Sequence, residues 1–239
     1  MKQNNYILNV VKVIFCSLLV LATSPIRAEI KVVTTIKPLH SLIANVMDGV
    51  GEPSLIIEGS TSPHSFTLKP SHAKLLEEAD LIFWVGEGIE TFMERPIESI
   101  VKNAEVVKFM EVESIEKLKF REESIFDDHD DHDEDHDDDD DDHDEHDDHD
   151  GHNHGEFNSH IWLDPSNAKK MVHEISHELG DLDPANKDKY EANAEATIQS
   201  LDQLINDVSK DINKDAKFVV FHDAYQYFEE RFGVRAAGA

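Results

Sequence analysis

Three histidines stand where the chain changes its local pattern. His64 lies in STSPHSFTLKPS, His160 in NSHIWLDPS and His222 in FVVFHDAYQYF. Each falls at the end of an expected element, in the loop after a strand, just before a helix, or at the carboxyl end of a strand. Ligands of open α/β sheets bind at the carboxyl ends of strands, and three imidazoles converging there suit a borderline cation such as Zn2+. Taken singly, each also has an ordinary reading as a surface or hydrogen-bonded residue.

A second group is denser. Residues 127–150 are eighteen Asp or Glu and six His and nothing else. His129, His132, His136, His143, His146, His149, His152 and His154 recur at spacings of two to seven residues. A run without apolar side chains has no core to offset the entropy of folding, so disorder is expected over about 122–157. Its carboxylates repel one another and favour protonated imidazole, so a metal must compete with protons there. Several zinc ions held weakly by mixed imidazole and carboxylate ligands is the reading adopted, with a passive acidic spacer as the alternative. The run then collects or senses zinc.

A third pattern is HEISHELGDLD, 173–183, which fits the H-E-x-x-H-x-x-G-x-x-D signature of some metalloproteases. There His173, His177 and Asp183 would hold zinc and Glu174 would be the base. Helical geometry argues against it. Ala168, Val172, Ile175, Leu179 and Leu182 form one apolar stripe, and the two histidines lie roughly 100–140° away from it, beside Lys169 and Lys170. Asp183 is better used as the cap of a helix opening at Pro184. His40 and His72 stand at helix starts, where capping or solvent exposure is the simpler reading. Phe83, Trp84 and Trp162 read as core residues, with Trp162 close enough to His160 in sequence to close over a site.

The elements that must position these groups alternate. IKVVTT (30–35), SLIIEG (54–59), DLIFWVG (80–86) and EVVKFM (105–110) read as strands. Helices are expected from Pro38 to Gly49, over 70–79, over ETFMERPIESIVKN with a break near Pro96, and over 166–181 with Ser166 as N-cap. Such alternation gives an α/β fold with a parallel sheet and flanking helices. Tyr190, Ala194, Ile198, Leu201, Leu204, Ile205, Val208 and Ile212 then continue one apolar stripe, so 183–214 is a long helix suited to bridge two lobes. KFVVFH (217–222) reads as a further strand and AYQYFEERFG as a helix.

The whole chain has 239 residues and a formal charge of −29; without the eighteen carboxylates of 127–150 this becomes −11. Nucleic acid is excluded as a partner by that sign, and cations fit it. Lys2 and Lys12, the apolar stretch 13–22 and the IRA ending at Ala28 form a cleavable signal peptide, 1–28, which directs the chain to the periplasm. The single cysteine, Cys16, lies in that leader without a lipobox, so the exported chain must rely on a hydrophobic core.

Four long motifs carry a resemblance. TTIKPLHSLIANVMDGV, GSTSPHSFTLKPSHAKLLEEADLIFWVGEGIETFM, SHIWLDPSNAKKMVHEI and FVVFHDAYQYFEERFGV resemble, in order, the zinc-binding solute-binding proteins of bacterial ABC importers. The resemblance implies two lobes of parallel sheet and helices bridged by one long helix, with metal between the lobes and no covalent chemistry. On it, His64, His160 and His222 are the zinc ligands, and the partner is a membrane permease served by a monomeric protein. The histidine of FHDAY favours zinc; manganese-binding relatives usually carry glutamate there. Pro63 stands where some zinc-binding members have glutamate. Family members also continue past the position of Ala239, so 29–182 is expected to be the N-terminal lobe and 215–239 the start of a truncated second one. A fourth ligand is left to that further segment, to the Asp/His run or to water. A secreted zinc peptidase and a zinc buffer independent of any permease are the alternatives.

Overall fold

The computed structural model describes residues 30–121 and 156–239. The expected leader 1–28 lies outside them, as do the eight histidines from His129 to His154. No helix among the described residues is long and apolar enough to cross a membrane.

Four short strands make one parallel sheet: β1 (Val32–Thr34), β2 (Ser54–Leu55), β3 (Leu81–Trp84) and β4 (Glu105–Lys108), in the order β2-β1-β3-β4. All four residues of β3 are buried, as its uninterrupted apolar sequence requires of a strand covered on both faces. β2 is shorter than the expected 54–59. Its pairing nevertheless continues, because the Ile56 and Ile57 amides donate to the carbonyls of Thr34 and Thr35.

The crossovers are α1 (Lys37–Val46), α2 (Pro70–Glu78) and α3 (Glu94–Ser99), followed by α4 (Pro165–Leu182), α5 (Lys187–Asp211) and α6 (Gln226–Phe232). Right-handed crossovers that run one way from β1 to β2 and the other way from β2 through β3 to β4 must place their helices on opposite faces. Accordingly α1 packs with α4 and α5, while α2 packs with α3. The core lies between the sheet and these layers, with Leu39, Ile43, Met171, Val172, Ile175 and Leu179 fully buried beside Ile82 and Phe83.

Several boundaries differ from expectation. The interruption before α3 falls at a 3-10 turn, Thr91–Met93, rather than at Pro96. Pro96 sits in the first turn of α3, where a missing N–H costs little. The cap of α4 is Asp164, whose Oδ1 accepts from the Ser166 amide at 2.8 Å, with Pro165 as the first helical residue; Ser166 is inside the helix. Asp183 does not open α5. It ends α4, is buried, and its Oδ2 accepts from Asn186 Nδ2 (2.6 Å) and the Tyr190 hydroxyl (3.2 Å).

α5 therefore spans 25 residues rather than the whole of 183–214, roughly 37 Å at 1.5 Å per residue. Its first half is anchored: Tyr190 and Ala194 are buried, and Asn193 Nδ2 donates to the carbonyls of Val46, the last residue of α1, and Asp48 beyond it. Its second half leaves the sheet, so Leu204, on the apolar stripe, is 47% exposed.

The expected strand at 217–222 is not part of a sheet. It is extended and exchanges only two backbone bonds, Val220 N–H to Gly238 and Ala237 N–H to Phe218. Val219 is 77% and Phe221 96% exposed. β-branched composition specifies an extended backbone but not a neighbour to pair with.

Candidate metal centre

The strand order reverses between β1 and β3, and that reversal point is where a doubly wound sheet opens a crevice. Here the protein fills it with its own carboxylate. Glu90 is fully buried and accepts from the Thr35 hydroxyl and from the Val85 and Gly86 amides. Burial pushes its carboxyl up to about 7, against the pull of those hydrogen bonds. The loop it pins carries Gly88, where any Cβ would overlap the side chain of Ser159. Glu90 and Gly88 thus set the floor on which the segment around His160 rests.

His64 comes from the carboxyl end of β2. It is the middle residue of a 3-10 turn, Pro63–Ser65, capped by Ser62, whose hydroxyl accepts from the His64 N–H at 3.3 Å. His160 precedes a second 3-10 turn, Ile161–Leu163, that leads through the Asp164 cap into α4. His222 sits in the bend between the extended segment 217–221 and α6, and its carbonyl accepts from the Ala224 amide.

These three side chains meet. Ring centroids are 5.6 Å apart for His64 and His160, 5.8 Å for His64 and His222, and 5.2 Å for His160 and His222. One nitrogen from each lies within 4.8 Å of the others, and His160 Nε2 is 3.3 Å from His222 Nε2. Two zinc–nitrogen bonds of about 2.0–2.1 Å at a tetrahedral angle separate their nitrogens by about 3.3–3.4 Å. The spacing of this pair is thus already that of two ligands on one ion. Burial, and then the charges of His222 and His64, lower the His160 pKa to about 3. At neutral pH its ring is uncharged and its lone pair free for a cation. Trp162 packs against the core, as expected, with its ring 5.4 Å from that of His160.

The remaining histidines go elsewhere. His40 Nε2 is 3.1 Å from the Pro53 carbonyl. His72 Nδ1 accepts from the Lys69 amide at the start of α2. His173 and His177 are exposed, and His177 pairs with Glu178 and Asp181 on its own helix. With Asp183 committed to Asn186 and Tyr190, the protease-like pattern is a coincidence of an exposed helix face.

The neighbourhood includes residues that local patterning does not reveal. Asn158 is buried beside His160, its Oδ1 2.8 Å from the His160 Nδ1. Arg121 bridges Asp223, next to His222, and Glu229, at 3.1 and 3.0 Å. Arg231 makes a two-pronged pair with the Asp164 cap, at 2.7 and 2.6 Å, tying α6 to the start of α4. Lys119 and Phe157 face each other in an antiparallel bridge, and Lys119 also pairs with Glu156. The two ends that flank 122–155 therefore meet beside the histidines. Glu156 and Phe157, assigned above to the Asp/His segment, are part of this folded junction. A separate polar cavity of about 710 Å³ lies behind α6, lined by Arg121, Gln226, Glu229, Glu230 and Arg235 among others.

Comparison with known proteins agrees with this architecture. A family model described as Zinc-uptake complex component A periplasmic matches residues 32–239. The high-affinity zinc uptake system protein ZnuA of Brucella abortus (strain 2308) is 48% identical over 221 residues, covering 87% of this chain and 66% of its own. Its counterpart in Yersinia pestis is 34% identical over 225 residues, covering 93% of this chain and 69% of its own. The Zn(II)-bound ZnuA-like domain of Streptococcus pneumoniae AdcA superposes with a TM-score of 0.64 at 22% identity, over 87% of this chain and 66% of that one. At that identity the likeness speaks for the fold. This chain spans about two thirds of the length of these relatives. It belongs to the family of the periplasmic component A of zinc-uptake complexes.

Proposed function

We propose that this chain captures Zn2+ in the periplasm at His64, His160 and His222 and hands it to the membrane permease of an ABC importer. Zinc is cargo here, and no bond of a substrate is made or broken; members of the family are solute-binding proteins. The observation that carries the reading is the 3.3 Å separation of His160 Nε2 and His222 Nε2 with His64 beside them. Three imidazoles leave an open coordination position on a four-coordinate ion. Their softness disfavours magnesium and calcium, which require oxygen ligands. The Asp/His run between the His64 and His160 motifs would add several weaker zinc sites, a collector feeding the tight one. The leader ending at Ala28 fits delivery to the periplasm.

Zinc titration with manganese competition tests this on the full chain and on two variants. His160→Ala removes a ligand, and its affinity loss should exceed the roughly 10–100-fold typical of an outer-shell change. His173→Ala should match the wild type, since that side chain faces solvent. The reverse pattern would sink the assignment, and so would peptide cleavage that depends on zinc and disappears in Glu174→Ala.

A further inference from the structure

Asn158 is fully buried, and each polar atom of its side chain and backbone has a defined partner. Its backbone N–H donates to Leu118 O at 2.9 Å, and its carbonyl accepts from the Tyr227 hydroxyl at 2.6 Å. Those bonds hold the residue between the end of the first lobe segment and α6. The side chain then reaches two ways. Oδ1 accepts from the His160 backbone amide at 3.0 Å and lies 2.8 Å from His160 Nδ1. Nδ2 donates to the Asp223 carbonyl at 3.0 Å and to Gln226 Oε1 at 3.1 Å.

The partners fix which end of the amide is which. A backbone N–H can only donate, so the atom facing the His160 amide is the oxygen. The Asp223 carbonyl can only accept, so the atom facing it is the NH2 group. With oxygen in that place, His160 Nδ1 must carry its proton and donate it. The lone pair of the neutral ring is then on Nε2, the atom 3.3 Å from His222 Nε2.

We propose that Asn158 is a positioning residue of the metal site, acting on two of its three ligands at once. Its oxygen keeps the His160 proton on Nδ1, so that Nε2 is the donor atom. Its nitrogen holds the backbone of Asp223, so that the adjacent His222 meets that atom at ligand spacing. Outer-shell groups that fix a ligand's tautomer and direction carry a 10–100-fold share of metal affinity. This inference rests on the zinc-capture reading for its effect on affinity, but not for the tautomer.

The test has two arms. In the metal-free wild type, 15N chemical shifts of the His160 imidazole at neutral pH should show the proton on Nδ1. A proton on Nε2 overturns the proposal, whatever the protein binds. In the second arm, zinc affinity is measured for Asn158→Leu and Asn158→Asp. Leucine removes both arms of the amide and should weaken binding by about 10–100-fold. Aspartate keeps an acceptor for Nδ1–H but sets an oxygen against the Asp223 carbonyl, so it should keep the tautomer, lose the second arm and weaken binding by less than leucine does. Equal losses in both variants, or no loss in either, overturn the proposal; Asn158→Asp and the wild-type shifts decide it even if the leucine variant does not fold. A wild type that binds no zinc at these histidines would overturn the proposed function instead, and the tautomer measurement would still stand.

Discussion

A carboxylate in a fully buried crevice is an unusual choice for a position that could have been apolar. Glu90 is held by three donors, yet burial raises its pKa from 4.5 to about 7. A carboxyl whose folded pKa lies above its unfolded value contributes stability that is fully present below pH 4.5. That contribution fades as pH rises through about 7. Its full size, about two and a half pKa steps, corresponds to about 3 kcal/mol. Glu90→Gln removes the ionisation and also sets an NH2 group against one of the amides, a fixed cost at every pH. Denaturant midpoints of wild type and variant between pH 4.5 and 8 should therefore converge or cross as pH rises. Parallel curves would mean that Glu90 is ionised throughout. The crevice residue was invisible in the sequence because nothing local marks GEGIE as buried; Thr35, 55 residues earlier, makes it so. Asn158 escaped for the same reason, its partners lying 65 and 68 residues away. The three histidines were legible as element ends, and the family motifs grouped them. Spacing along the chain alone could not bring residues 64, 160 and 222 to one point.

Elements with strong periodicity were legible throughout: the buried run of β3, the stripe of α4 and the stripe of α5. Their ends were less so, because capping residues compete. In LDPSNAKK both Asp164 and Ser166 are good caps, and Pro165 decides for Asp164 by fixing the first helical turn. In GDLDPANK the Asp-Pro pair imitates a helix start, but the Asp183 side chain turns back under Asn186 and Tyr190. The segment 217–222 was misread as a sheet strand since apolar, β-branched residues report backbone preference and not the presence of a neighbour. The Asp164 cap carries more than one helix end. Asp164→Ala should cost the about 0.5–2 kcal/mol of a lost N-cap and also release Arg231 and α6. Thermal unfolding should show a loss in that range or above, and hydrogen exchange should rise in α6 as well as at the start of α4. Protection unchanged in α6 would show that Arg231 does not tether it.

At the scale of the molecule, the charge is divided in two. Eighteen of the carboxylates behind the −29 lie in 127–150, and the three histidines proposed as ligands belong to the remainder. Removing 127–154 should accordingly lower the number of zinc ions bound while retaining one tight equivalent. Zinc at about 100 times its dissociation constant should stabilise that shortened chain by about 2.7 kcal/mol, a rise in Tm of roughly 5–10 °C. Loss of the tight equivalent with the segment would place the principal site in the Asp/His run. The junction that closes the segment has a consequence of its own. Lys119 faces Phe157 in an antiparallel bridge, so the described ends on either side of 122–155 lie at nearly the same point. Doubling the length of chain between two such fixed ends costs only about 0.6 kcal/mol. The junction is thus an insertion port, into which longer, shorter or unrelated sequences can be spliced while the body that grips it keeps its register.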